Sequence, residues 1–458
     1  MTDQRKSPVE RLLGVFTEVR TGEAGTSLLL ALNVFLLLTT YYIVKPVREA
    51  LILVGGGAEV KSYAAAGQAL LLLLAVPAYA ALVSRMQRRT LINVVTLFFA
   101  ACMVGFYLLA AAGVPNVGVA FFLWVGIYNL MVPAQFWSFA NDLYTPEQGK
   151  RLFVIVAFGA SLGAVMGSWI AGLLVAPLGV NQMLLVAAAL LTATLLLTNA
   201  IDVRERRRAQ AAAAGTAAAQ RSAAAPEKPA AEEPPIPPGG AFRLVMKHRY
   251  LLLIALLMMF LNWVNTTGEY ILGRVVSGTA AEAVANGTAG GLSEGDFIGK
   301  FYADFFFVVN IAGVVLQLFF VSRILKYLGV RVALLFLPVI AMGGYLLLAF
   351  YPVLAVVRWA KTAENSTDYS LQNTVRQVLF LPTTREQKYK AKQAIDTFFV
   401  RAGDLLSAGL VFVGTTFLSF GTTQFALVNV VLVLVWIVIA VAIGRENAKL
   451  VAQDDDTA

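Results

Sequence analysis

Long apolar runs broken by short charged segments fill most of the chain, and their spacing sets the elements it forms. Runs of the length a membrane helix needs fall near 27–53, 62–83, 91–112, 117–140, 152–175, 182–200, 250–273, 300–322, 331–350, 394–418 and 423–444. Each is long enough to cross a hydrocarbon core of about 30 Å. A twelfth span is predicted where hydropathy alone rejects one, at residues 353–381, VLAVVRWAKTAENSTDYSLQNTVRQVLFL. Read at helical spacing, Arg358, Lys361, Asn365, Asp368 and Gln372 recur at i, i+3, i+7, i+10 and i+14, a single polar stripe with Glu364 beside it. A charge at the bilayer centre costs roughly 2.5–3.5 kcal/mol on insertion scales, so such a stripe belongs against a water-filled cavity or polar neighbours.

Composition and charge sharpen this picture. The chain of 458 residues is 59% hydrophobic and 14% charged, which excludes a soluble domain and predicts a polytopic protein of the lipid bilayer. A net charge of +9 would suggest nucleic acid in a soluble protein. Here 27 of the 36 Lys and Arg lie in the N-terminus, in the segments after even-numbered spans and in the C-terminus, while Lys61 and Lys300 sit on the opposite side. By the positive-inside rule both termini are expected in the cytoplasm, and nucleic acid is not expected as a partner. One Cys (Cys102) and one His (His248) leave no disulfide, metal site or Cys/His catalysis to expect. A phosphate-cradling G-x-x-x-x-G-K-[ST] loop is also absent, so transport would be secondary, with no cofactor.

An internal repeat gives the organisation. Thr145-Pro-Glu-Gln-Gly-Lys-Arg answers Thr384-Arg-Glu-Gln-Lys-Tyr-Lys at an offset of 239, and Val83-Ser-Arg answers Val321-Ser-Arg at 238. Shifted back by 239, the charged twelfth span lands on 114–142, a plainly apolar one. Near the start, Arg48-Glu49 matches Gly268-Glu269 at about 220, so residues 275–296 are expected to form a longer external loop than 55–61. The predicted plan is a cytoplasmic N-terminus with an interfacial helix (1–26), a six-helix bundle (27–200), a flexible cytoplasmic linker (201–249), a second six-helix bundle (250–445) and a cytoplasmic tail (446–458). Two parallel six-helix repeats make an all-α membrane protein of twelve transmembrane helices, the major facilitator plan.

Most polar positions inside the membrane fall on spans 1, 4, 7 and 10, which line the central cavity in that plan. The candidate substrate-binding residues are Lys45, Arg48 and Glu49 in span 1, Asn129 in span 4, Glu269 in span 7, and Arg358, Lys361, Glu364, Asn365, Asp368 and Arg376 in span 10. Buried cations that outnumber nearby carboxylates favour an anionic substrate. The carboxylates themselves allow partner exchange or proton carriage. Pro46 beside Lys45 and Arg48 predicts a kinked, cavity-lining half of span 1. Asp304, Asp396, Arg401 and Asp404 read as members of structural ion pairs between helices.

These residues also carry a family resemblance. FWSFANDLYTPEQGKRLFVIVAFGASLGAVMGS at 136–168, DYSLQNTVRQVLFLPTTREQKYKAKQAID at 368–396 and YYIVKPVREALIL at 41–53 resemble the ATP/ADP translocases of plastids and intracellular bacteria, a nucleotide transporter family. The resemblance implies Lys45, Arg48 and Glu269 as binding residues, and Lys390 and Lys392 as motif positions. Residues 121–135 hold no carboxylate where that family's fourth helix carries one, which leaves room for another nucleotide or anion. The expected protein is a monomeric secondary transporter of the bacterial inner membrane, moving nucleotides by ATP/ADP-type exchange, or a related phosphorylated anion. The alternatives are a proton-coupled transporter of another organic anion and a non-transporting membrane partner protein. An enzyme is not expected.

Overall fold

A computed structural model of the chain describes residues 8, 10, 17–20, 22–219, 240–384 and 386–457. Most of the interfacial helix expected at 8–20 and much of the linker expected at 201–249 lie outside these residues. The described residues form long helices: α1 Ala24–Arg85, α2 Arg88–Ala111, α3 Val117–Leu143, α4 Pro146–Leu178, α5 Met183–Ala219, α6 Ala241–Lys247, α7 Arg249–Ala285, α8 Glu294–Leu316, α9 Gly329–Phe350, α10 Leu354–Thr367, α11 Val400–Thr416 and α12 Thr422–Thr457. Ten of the described helices are long and apolar enough to cross a membrane. The predicted twelve spans follow from two further facts. α1 contains two of them, and the charged α10 supplies another.

The reversal inside α1 takes a single residue. Gly57 alone leaves helical dihedrals (φ 73°, ψ −176°), a conformation essentially confined to glycine. Beyond it Lys61 Nζ lies 2.6 Å from Glu49 Oε2. Twelve residues of straight helix would separate them by about 18 Å, so the chain folds back on itself at Gly57. The kink expected at Pro46 does not appear as a break, since the backbone there keeps helical dihedrals.

The repeat found in the sequence is a repeated helix start. Thr145 and Gln148 form a capping box before α4, with Gln148 N donating to Thr145 Oγ1 (3.3 Å) and Thr145 N to Gln148 Oε1 (3.1 Å). Thr384 and Gln387 reproduce it at 3.4 and 3.1 Å. The same two orphan amides are satisfied by the same residue types in both halves. Beside the first box, Arg151 forks onto Glu23 at 3.0 and 3.1 Å. Burial pushes the Glu23 carboxyl up, but the Arg151 and Arg20 hydrogen bonds outweigh it and hold the pKa below the ordinary carboxylate value.

Packing of α4 on α1 rests on glycine. Side chains at Gly159, Gly163 and Gly167, four residues apart, would collide with the backbones at Ala31, Phe35 and Thr39, also four apart. The two helices therefore touch backbone to backbone, as small-residue stripes allow in membranes. Between α7 and α8 the expected long loop is shorter than predicted. The alanine-rich stretch continues α7 to Ala285, and the turn occupies 286–293, where Gly287, Gly290 and Gly291 take positive φ with open space around them.

Candidate functional site

Residues 353–381, rejected by hydropathy, form a membrane-depth helix: α10 continues through a wider π-type turn at Asp368–Gln372 into Asn373–Val378. Lys361 finds its partners on α10 itself and on α7. Lys361, 1% exposed, bonds Asn265 Oδ1 (2.8 Å) and lies 3.0 Å from Glu364 and 3.6 Å from Glu269. Asn365 donates to Glu269 at 3.1 Å, and Tyr345 donates to Glu364 at 2.9 Å. Gly268 makes room for this hub, because a side chain there would meet the Tyr345 hydroxyl and bring its Cβ 3.1 Å from Lys361 Nζ.

The first half builds a second charged cluster. Glu49, buried to 1% exposure, pairs with Arg48 and with Lys61, and Lys61 also reaches Glu269 at 3.8 Å across the two halves. Arg48 stacks over Phe122 at 4.8 Å. Lys45 differs from its neighbours. It is 8% exposed, and among the described residues no carboxylate lies within 4 Å of it. Phe306, Tyr42 and Tyr369 surround its ammonium at 3.8, 5.4 and 5.6 Å from the ring centroids, and the Tyr369 hydroxyl lies 3.4 Å away. Burial at this depth excludes snorkelling to an interface. The cage instead holds a cation on aromatic faces.

Two compartments share this machinery. A cavity of about 180 Å³ is lined by Lys45, Arg48, Lys61, Glu269, Phe306 and Asp404, among others. A second, of about 370 Å³, is lined by Asn262, Asp368, Gln372, Asn373 and Arg376. Asn265 and Tyr369 line both and stand between them.

The predicted residues thus divide. Lys45, Arg48, Glu49, Glu269, Lys361, Glu364 and Asn365 converge on one cluster. Asp368 and Arg376 line the adjoining compartment. Asn129 is exposed and lines neither, its neighbour Tyr128 being the inward residue, 6.5 Å from Tyr41 between centroids. Arg358 lies apart, over Phe301 and Trp359 in a cleft with Lys300 and Asp304. Lys61 was not among the predicted site residues. Its signal was available, since it is one of two lysines that break the positive-inside pattern. Of the expected structural ion pairs, Arg376–Asp396 (4.0 Å) joins two segments, while Lys300–Asp304 and Arg401–Asp404 (both 3.1 Å) lie within one helix each.

No protein-family model and no curated protein matches the chain. Solved structures do. A bacterial homologue of the human lysosomal transporter Spinster, inward-facing and unoccupied, is 13% identical at TM-score 0.54, covering 94% of this chain and 99% of its own. A POT family transporter in complex with 5-aminolevulinic acid is 12% identical at TM-score 0.60, covering 93% and 96%. The nucleoside transporter NupG is 12% identical at TM-score 0.58, covering 91% and 98%. At such identities the likeness shows the fold: two six-helix repeats of the major facilitator type.

Proposed function

We propose that the protein is a secondary transporter that moves a nucleotide or a related phosphorylated anion by alternating access. The observation that carries this reading is Lys45, a buried cation with no carboxylate within 4 Å among the described residues, facing a cavity that also holds Arg48 and Lys61. Such a group needs an anion, and charge-assisted bonds to phosphate oxygens would supply it. Tyr42, Phe306 and Tyr369 around it offer aromatic faces for a base. The resemblance of three segments to translocase motifs supports the same substrate class.

In this reading residues 27–200 and 250–445 are the rocking units, joined by a cytoplasmic 201–249, with both termini in the cytoplasm of a bacterial inner membrane. Glu269 lies 3.8 Å from Lys61 and 3.6 Å from Lys361, which favours a second reading: a carboxylate that trades cations while carrying a proton, coupled to another organic anion.

The deciding experiment is uptake of labelled nucleotides by liposomes holding the purified protein, with and without unlabelled nucleotide inside. Uptake above protein-free liposomes, accelerated by internal nucleotide, is expected. Exchange of unequal charges would also respond to voltage, at about 2.3 kcal/mol per charge per 100 mV. Nucleotide uptake no greater than in protein-free liposomes, with a different anion carried under a proton gradient, would replace the first reading with the second.

A further inference from the structure

Four cations from three helices meet at the end of the second half that carries the repeated helix starts. Arg249 opens α7, Arg331 stands in the first turn of α9, and Arg445 and Lys449 lie on the polar end of α12. Together with Glu446 they line a cleft of about 550 Å³. Glu446 is engaged by Lys449 at 3.2 Å. Among the described residues, Arg249, Arg331 and Arg445 have no carboxylate within 4 Å. A topological signal needs basic residues on one side of the membrane, yet does not need them gathered in one cleft against their mutual repulsion.

The cleft is also built. Arg331 Nε donates to the Gly444 carbonyl at 3.1 Å, and a side chain at Gly444 would bring its Cβ to 2.5 Å from Arg331 Cγ. Tyr250 holds the neighbouring helices in place, donating to Leu379 O (2.8 Å) and accepting from Asn447 (2.9 Å). The cleft lies at the polar ends of three membrane-length helices. Tyr327 and Leu328, just before α9, are 73% and 49% exposed, and Val332 beside Arg331 is 42% exposed, an amphipathic rim beside the charges.

We infer that this cleft binds the phosphate of an acidic phospholipid, with the exposed rim along its acyl chains. Basic pockets between membrane helices at this level recognise such headgroups. The occupant joins α7, α9 and α12 and so braces the second half independently of the transport site.

The test uses the full chain in mild detergent, titrated with phosphatidylglycerol and read by native mass spectrometry and thermal melting. Arg249→Gln with Arg445→Gln is expected to weaken binding roughly thirty-fold, and Lys449→Gln alone, which leaves every interhelical bond intact, roughly five-fold. Arg323→Gln with Lys326→Gln, basic residues outside the cleft, should leave it unchanged. Phosphatidylcholine and inorganic phosphate should not reproduce the stabilisation. Equal losses in the control pair, an undiminished affinity in Lys449→Gln, or full protection by inorganic phosphate at matched concentration would each overturn the assignment.

Discussion

Lys45 and Lys361 are both buried cations, and their surroundings assign them opposite roles. Lys361 touches Glu364, Glu269 and Asn265, so Lys361→Gln leaves two carboxylates short of a partner. That variant should lose about 3–5 kcal/mol of stability, recovered when Glu364→Gln is added. Lys45→Gln orphans no carboxylate. It should melt close to wild type while substrate affinity falls by about 1.5–3 kcal/mol. Parallel measurement of melting and affinity separates the two, and equal destabilisation by both would remove Lys45 from the binding site. Helical periodicity made the polar stripe of α10 legible, along with the charged residues of span 1. It gave the face of each residue but not the neighbour opposite. Phe301 of α8 covers Arg358, a fact about another helix, and Asn129 lies one residue round from the inward Tyr128. Lys61 reads in sequence as the edge of a loop, and a reversal at a single glycine turns that edge inward.

Among the elements, the halves solve the same problem with different helices. In the first, the cation beside Glu49 is Arg48 on the same helix, stacked on Phe122 of α3. In the second, the position matching Arg48 is Gly268, and the position matching Phe122, at the offset of 239, is Lys361 itself. The cation has moved from the first helix of the repeat to the fourth, and glycine vacates the space it needs. This exchange explains why span 10 carries a lysine where span 4 carries an aromatic ring. The glycine stripe of α4 makes a sharper demand. Gly163→Ala should cost about 1–3 kcal/mol by forcing α4 off α1, whereas Gly105→Ala in α2, with open space around it, should be neutral. Thermal melting of both in detergent checks this, and a neutral Gly163→Ala would mean the two backbones are not in contact.

Across the whole molecule, the bonds between the halves lie at mid-span, where Asn310 donates to Ala164 O and Ser168 Oγ at 3.0 Å, and at the end where Gly57 turns. Tyr270 donates to Glu59 at 2.9 Å, Val180 N to Asp296 at 2.7 Å, and Lys61 reaches Glu269. The compartment holding Gln372 and Arg376 lies toward the other end. The halves are thus clasped at one end, as the proposed alternating access would require of any one state. Tyr270→Phe removes a clasp without changing shape. It should raise the reactivity of a cysteine placed by Ser62→Cys toward a thiol reagent added from the Gly57 side, and unchanged reactivity would show that Glu59 plays no part in holding that end shut.

The one-residue reversal at Gly57 has a practical side. Nothing protrudes between the first two spans, so that junction offers no purchase for an epitope tag, an antibody or a protease, and an insertion there would pull Lys61 away from Glu49. A handle on that surface belongs instead in residues 286–292, where the glycines at 287, 290 and 291 have empty space around them.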